Sequence, residues 1–286
     1  MKRLLAKPLI RISLLVLLLV GVIATSMQVF AVMDLHVALP LMMKHYSFPT
    51  PGSWWNPSPG TSWQWQLSGE IDTSLDVQMY DIDLFDAPQP VIDQLHQDGR
   101  VVICYFSAGT YEDWRPDVAG FPAQVLGDPL AEWPGERWLD IRQIGSLEAV
   151  ISSRLDLAVQ KNCDGIEPDN VDGYINDTGF PLEYADQLAY NTWLAGLAHD
   201  RHLSVGLKND LGQVNDLLPY FDWALNEECF TYQECELLVP FISAGKAVFG
   251  VEYSLDPASY CPQANGMDFD FISKHLELDA WRLACR

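Results

Sequence analysis

The chain has 286 residues, with 17 Lys or Arg against 39 Asp or Glu, for a formal net charge of -22. A folded unit of this length hides roughly 70–75% of its extended-chain surface, and 49% apolar with 20% charged residues argues against wholesale disorder. So acidic a chain, with no basic stripe, repels phosphate backbones; this excludes nucleic acid and leaves a cationic or neutral ligand, or simple solubility.

The elements follow in chain order. Lys2, Arg3, Lys7 and Arg11 precede an apolar run from Ile12 to about Val32, the pattern of an export signal, with Val29-Phe-Ala31 as a cleavage site. The run is also long enough to stay in the membrane, so residues 1–32 are a signal peptide or an anchor, with cleavage favoured. A membrane partner is expected only if the segment is uncleaved. No cysteine precedes Cys104, which excludes a lipoprotein anchor. Residues 33–62, rich in Pro, Ser and Gly, read as a semi-rigid linker. Within it Trp54 and Trp55 suit either contact with sugar rings or capping of the bottom of the domain that follows.

From Trp63 onward short apolar runs alternate with amphipathic stretches. The runs are Trp63–Leu67, Val77–Phe85, Val101–Phe106, Trp138–Ile141, Gly165–Asp169, Leu203–Leu207, Trp223–Asn226 and Ala247–Tyr253. Helical periodicity fills Pro90–Gln97, Leu147–Gln160, Tyr184–Arg201 and Cys235–Ala244. Eight strands alternating with helices predict an α/β fold, a single (β/α)8 TIM-type barrel over residues 63–286. A doubly wound nucleotide-binding sheet would want a Gly-rich phosphate turn near its first strand, and there is none.

In such a barrel chemistry belongs to the C-terminal ends of the strands. Seven of the eight ends carry acids, among them Asp83, Glu112, Asp140, Glu167 with Asp169, Glu227 and Glu252. One carboxylate at a strand end is commonplace, but seven at one mouth are hard to ascribe to solubility. Crowded acids split their pKa values, which is what cleavage of a glycosidic bond requires. Side-chain period two puts Glu167 and Asp169 on one face, Asp169 nearer the rim. Tyr105 and Tyr253 offer flat faces for sugar rings, although core packing is the commoner use of such residues. Lys208 is the one cation in this set and suits orienting a carboxylate.

Several strings, taken together, are similar to glycoside hydrolase family 114. They are Ile103-Cys-Tyr-Phe-Ser-Ala-Gly, Cys163-Asp-Gly-Ile-Glu-Pro-Asp-Asn-Val-Asp-Gly-Tyr174, Leu207-Lys-Asn-Asp, Asn226-Glu-Glu-Cys and Val251-Glu-Tyr. The resemblance spans residues 63–286 and implies a TIM barrel and endo-α-1,4-polygalactosaminidase activity outside the cell. It implies Asp169 and Glu227 as the catalytic pair, with Asp169 as nucleophile by analogy with retaining barrels. Asp83, Tyr105, Glu112, Asp140, Glu167, Asn170, Lys208, Asn209, Glu252 and Tyr253 are the expected substrate-binding residues. The implied substrate is a cationic or neutral polysaccharide, acted on by a monomer without cofactor or metal. A glycosidase for another α-linked sugar, or a non-catalytic polysaccharide-binding barrel, are the alternatives; the latter should lack one of the two key acids, and both are present. A Ca²⁺ site over Asp164–Asp172 is a minor reading, since the spacing is not that of an EF-hand.

The cysteines fit an oxidising compartment. Cys229 with Cys235, and Cys261 with Cys285, are the expected disulfides. Cys104 lies within a strand and Cys163 just before one, so their pairing is doubted and they read as buried thiols.

Overall fold

A computed structural model describes residues 54–286. The signal or anchor segment and most of the linker therefore lie outside the described residues. Among the described residues no helix is long and apolar enough to cross a membrane.

Runs rich in Val, Ile, Leu and aromatics form the strands. In chain order these are β1 (Trp63–Gln66), β2 (Met79–Asp83), β3 (Val101–Ser107), β4 (Thr110–Glu112), β5 (Leu126–Pro129), β6 (Glu136–Leu139), β7 (Gly165–Asp169), β8 (Ser204–Lys208), β9 (Trp223–Glu227), β10 (Val248–Glu252), β11 (Asp270–Ser273) and β12 (Leu283–Ala284). The main sheet runs β1-β2-β3-β7-β8-β9-β10-β11-β12, and all its pairings are parallel except that of β12 with β11. The principal helices on its outside are α1 (Gln89–Gln97), α2 (Ile144–Gln160), α3 (Tyr184–His199), α4 (Val214–Leu217), α5 (Cys229–Tyr232), α6 (Val239–Ser243) and α7 (Pro257–Gly266). The result is a mixed α/β fold around a curled parallel sheet.

Alternation along β3 shows how the curl is filled. Ile103 joins Trp63, Trp65, Met79, Trp223 and Phe249 in an inner cluster. Val102, Cys104 and Phe106 face the other way, into an outer cluster that includes Ile92 and Leu95 of α1 and Leu147, Ile151 and Leu155 of α2. Both faces are apolar, so the parallel strands are buried almost throughout. The curl brings β1 back to β11, where the Trp63 indole donates to the Asp270 carbonyl at 2.8 Å.

Two expectations are corrected, and one cause underlies both. Trp138–Ile141 is not a strand of the main sheet: β6 joins β4 and β5 in a separate antiparallel sheet. The eighth parallel strand is β11 instead. A parallel crossover usually needs a helix, and the stretch from Ser107 to Trp138 carries Pro116, Pro122, Pro129 and Pro134, which leave no room for one. The chain therefore folds back antiparallel, Thr110 opposite Trp138, and α2 makes the crossover afterwards. With β6 removed from the sheet, β3 pairs directly with β7, and Cys104 and Cys163 come within 6.0 Å Cα to Cα. They form a disulfide, contrary to the buried-thiol reading, alongside Cys229–Cys235 and Cys261–Cys285.

The described end of the linker packs at the N-terminal ends of the strands. Trp54 stacks on His199 at 4.1 Å and donates its indole N–H to Asp222, the residue before β9. This is the capping alternative, at the opposite end of the sheet from the acids.

Candidate active site

The strand ends of β2, β3, β7, β8 and β9 open into a cavity of about 450 Å³, lined among others by Asp83, Tyr105, Asp169, Asn170, Lys208, Asn209, Glu227 and Tyr253. Lys208 stands at its centre. Its Nζ lies 2.8 Å from Asp169 Oδ1, 2.9 Å from Glu227 Oε2 and 3.6 Å from Glu167 Oε1, over the Trp65 ring. The Lys208 side chain is only 2% exposed, against 18% for Asp169 and 27% for Glu227, so the cation is a floor beneath two accessible carboxylates.

Each carboxylate has further donors. The Tyr105 hydroxyl donates to Asp169 Oδ2 at 3.0 Å. Asn209 donates to Glu227 Oε2 at 3.1 Å, and the Tyr253 hydroxyl donates to Glu227 Oε1. Burial pushes the Asp169 carboxyl up, but the Lys208 charge, its hydrogen bond, the Asn170 amide and the Tyr105 hydroxyl outweigh it and hold the group below the usual carboxylate range. Burial alone would push Lys208 down; the three acids around it, Asp169 first, hold it well above the ordinary lysine value instead.

The turns that leave these strands are sharp. Asn170, Asn209 and Glu228, each directly after β7, β8 or β9, have φ of 58°, 52° and 59°. Asparagine tolerates this left-handed region better than most residues, which accounts for two of the three. The Asn170 turn also explains Gly109: a Cβ there would lie 1.7 Å from the Asn170 carbonyl oxygen.

Around this centre the cleft is acidic. Asp83 is held by two hydrogen bonds from Arg115, at 2.7 and 3.0 Å, and Glu112 shares the same guanidinium. Burial raises Glu112 to about 6 against the pull of Arg115 and Arg154. Glu136 and Asp172 also line the cleft. Burial lifts Glu136 to about 7 against a hydrogen bond from Thr110, with Glu112 and Asp169 adding repulsion. Burial, then Asp169, lifts Asp172 to about 6. Trp114 and Trp133, each 50% exposed, stand on the same wall.

Of the residues expected at the site, eight line this cleft together: Asp169, Glu227, Asp83, Tyr105, Glu112, Asn170, Lys208, Asn209, with Tyr253 as a ninth. Three do not. Glu167 is fully buried beneath Lys208. Asp140 is taken by Arg142 and Gln143. Glu252 accepts from the Phe230 amide and the Thr231 hydroxyl at the start of α5, a structural cap. Sequence reasoning passed over Glu136, and it noted Asp81, Asp172 and Arg115 at strand ends without placing them in the site. Glu136 begins an antiparallel strand, so a rule about C-terminal ends of parallel strands does not find it. Asp81 was in view, since it shares a face with Asp83 by period two.

The family model of glycoside-hydrolase family GH114 matches residues 45–286. The chain belongs to that family. This GH114 chain is a glycoside hydrolase, and its six-cysteine framework is a set of three disulfides. It is similar to Aspergillus fumigatus Ega3, solved in complex with galactosamine, at 40% identity and a TM-score of 0.77, over 81% of this chain and 97% of that one. The glycoside hydrolase domain of PelA from Pseudomonas aeruginosa has 11% identity and a TM-score of 0.62, over 80% of this chain and 99% of that one, which shows a shared fold. Among curated proteins none matches the chain.

Proposed function

We propose that this GH114 enzyme, on a TIM-type barrel scaffold, cleaves α-1,4-linked galactosamine polymers within the chain and with retention of configuration. The observation that carries the reading is the Lys208 bridge. The oxygens of Asp169 and Glu227 lie 2.8 and 2.9 Å from one nitrogen, hence within about 6 Å of each other. So close an approach of the nearest oxygens favours the about 5–5.5 Å spacing of retaining pairs over the about 6.5–9.5 Å that leaves room for an inverting water.

Asp169, held ionised by Lys208 and Tyr105, is the nucleophile. Its oxygen bonds to the anomeric carbon as the glycosidic C–O bond breaks, and Glu227, the more exposed acid, gives its proton to the leaving oxygen. Glu227 then takes a proton from water, whose oxygen attacks the anomeric carbon and releases Asp169. Proton transfer of this kind contributes about 10²–10⁴ in rate.

Galactosamine carries an amine, and the cleft is suited to ammonium groups. Asp83, Asp86, Glu112, Glu136, Asp169, Asp172 and Glu227 line it against Arg115 and Lys208. Ega3, at 40% identity, was solved with galactosamine, which supports the same sugar here. Three disulfides and the basic-then-apolar N-terminus support work outside the cell.

Asp169→Asn and Glu227→Gln should each abolish reducing-end release from polygalactosamine while still unfolding in one cooperative transition. NMR of the first product should show the α anomer. Full activity in either folded variant, or a β-anomeric first product, overturns the reading.

A further inference from the structure

The turn between β5 and β6 carries two cleft residues that the proposed mechanism does not use. In Trp133-Pro-Gly-Glu136 the Glu136 amide donates to the Trp133 carbonyl at 3.1 Å, and Gly135 takes a φ of 96°, the pattern of a type II turn with Pro134 at its first corner. Such a turn keeps its end Cα atoms within about 7 Å, so Trp133 and Glu136 are neighbours, and both line the cavity. Trp133 is half exposed, as is Trp114 on the same wall.

Glu136 is the opposite, only 6% exposed. Its Oε1 accepts the Thr110 hydroxyl and the Asn170 amide, the latter at 3.2 Å. Its Oε2 accepts no hydrogen bond from the described residues. Directly opposite it in the β4–β6 pairing stands Glu112. Glu112 has Arg115 at 2.9 Å and Arg154 at 3.8 Å, whereas no cation among the described residues is paired with Glu136. Like charges opposite one another in a sheet are unfavourable, and a buried carboxylate without a counter-ion adds to the cost. Folding does not require that arrangement. Recognition of a cation does.

We propose that Glu136 is a specificity-determining residue: it takes an ammonium group of the polymer while the neighbouring Trp133 packs against the sugar ring that carries it. This rests on the galactosamine reading above and says which side chain reads the amine. An acetylated amine has no charge to offer and leaves the buried carboxylate unpaired, so the same group that favours the free amine rejects its amide. The reading takes place close to the chemistry, because Asn170, which donates to Glu136, directly follows Asp169. Asp172 is less enclosed, and its carboxylate accepts from Asn176 at 3.3 Å.

The test uses the full chain carrying Glu227→Gln, which should bind polymer without cutting it, with Glu136→Gln or Trp133→Ala added. Glutamine keeps an oxygen for Thr110 and Asn170, so that variant should still unfold in one cooperative transition. Calorimetry near neutral pH compares an α-1,4-galactosamine oligomer with its N-acetylated counterpart. The background should prefer the amine. Glu136→Gln should weaken the amine oligomer roughly five- to tenfold and leave the acetylated one within about twofold. Trp133→Ala should weaken both alike, since stacking does not read charge. With Glu227 restored, Glu136→Gln should raise KM for the amine polymer by the same factor with kcat little changed, the mark of lost uniform binding. A background without preference for the amine, a preference unchanged by Glu136→Gln, equal weakening of both oligomers by that variant, or unaltered binding in Trp133→Ala overturns the proposal. Binding that depends on Glu136 in a chain whose Glu227 form fails to cut the polymer would instead overturn the reaction assigned above.

Discussion

Replacing Lys208 with methionine isolates the central electrostatic claim, because the side chains are close in length and only the charge goes. At an effective dielectric of about 20, one unit pair at about 3 Å attracts by roughly 5 kcal/mol, and Lys208 makes such a contact with Asp169. Desolvation offsets much of that, and breaking a buried pair typically costs about 3–5 kcal/mol net. Lys208 is almost fully buried, so solvent screening removes little. The sign follows from Asp169, whose pKa the lysine lowers. A depressed carboxylate contributes stability above its unfolded pKa and loses it as pH falls through the folded value. The variant should therefore be about 3–5 kcal/mol less stable at pH 7 in urea titrations, with the gap closing toward pH 3. The acid limb of kcat/KM should move to higher pH, because a nucleophile without its counter-ion protonates sooner. A Lys208→Met enzyme with parental stability, or with an unmoved acid limb, would refute the account.

Two other outcomes can be checked directly. As pH rises through about 6 to 7, Glu112, Asp172 and Glu136 lose their protons and the cleft gains negative charge. KM for an ammonium-bearing oligomer should then fall between pH 5 and 7, by roughly fivefold per charge engaged, more weakly in high salt, and hardly at all for an N-acetylated oligomer. The Cys104–Cys163 bridge closes a separation of 59 residues, so Cys104→Ser/Cys163→Ser should cost about 3–4 kcal/mol in unfolding free energy while leaving KM unchanged.

Much of the fold was legible because parallel strands buried on both faces read as plain apolar runs. The failures are local. Trp138–Ile141 has the composition of a buried strand, and only the prolines between Ser107 and Trp138 say that no crossover helix can precede it. The Cys104–Cys163 bridge was missed because one cysteine lies within a strand and the other just before one, and only the direct pairing of β3 with β7 brings them together. In the site, period two located Asp169 and Glu167 on one face with Asp169 nearer the rim, and that order holds, but it did not say that Glu167 would be closed off from the cleft altogether. Glu167 went to the floor because its strand position lies one pleat below the rim. Asp140 and Glu252 look like site acids in sequence, yet each is claimed by partners, Arg142 for one and the Thr231 hydroxyl for the other, that only the folded chain brings near.

The net charge of -22 takes on a definite shape once the layers of the site are separated. Like charges this close are tolerated because each tier has its own compensation. On the floor, Asp81 and Glu167 are fully buried, and burial raises both above the usual carboxylate range. Above them Lys208 serves Asp169 and Glu227. At the side, Arg115 takes Asp83 and Glu112, and Arg154 takes Asp117. Among the described residues no cation is paired with Glu136 or Asp172, and burial raises both. These two are the acids on which a substrate ammonium group would relieve a cost already present in the empty enzyme. An acidic cleft therefore does more than attract a polycation at long range: it keeps two carboxyls short of a counter-ion that a galactosamine residue is equipped to supply.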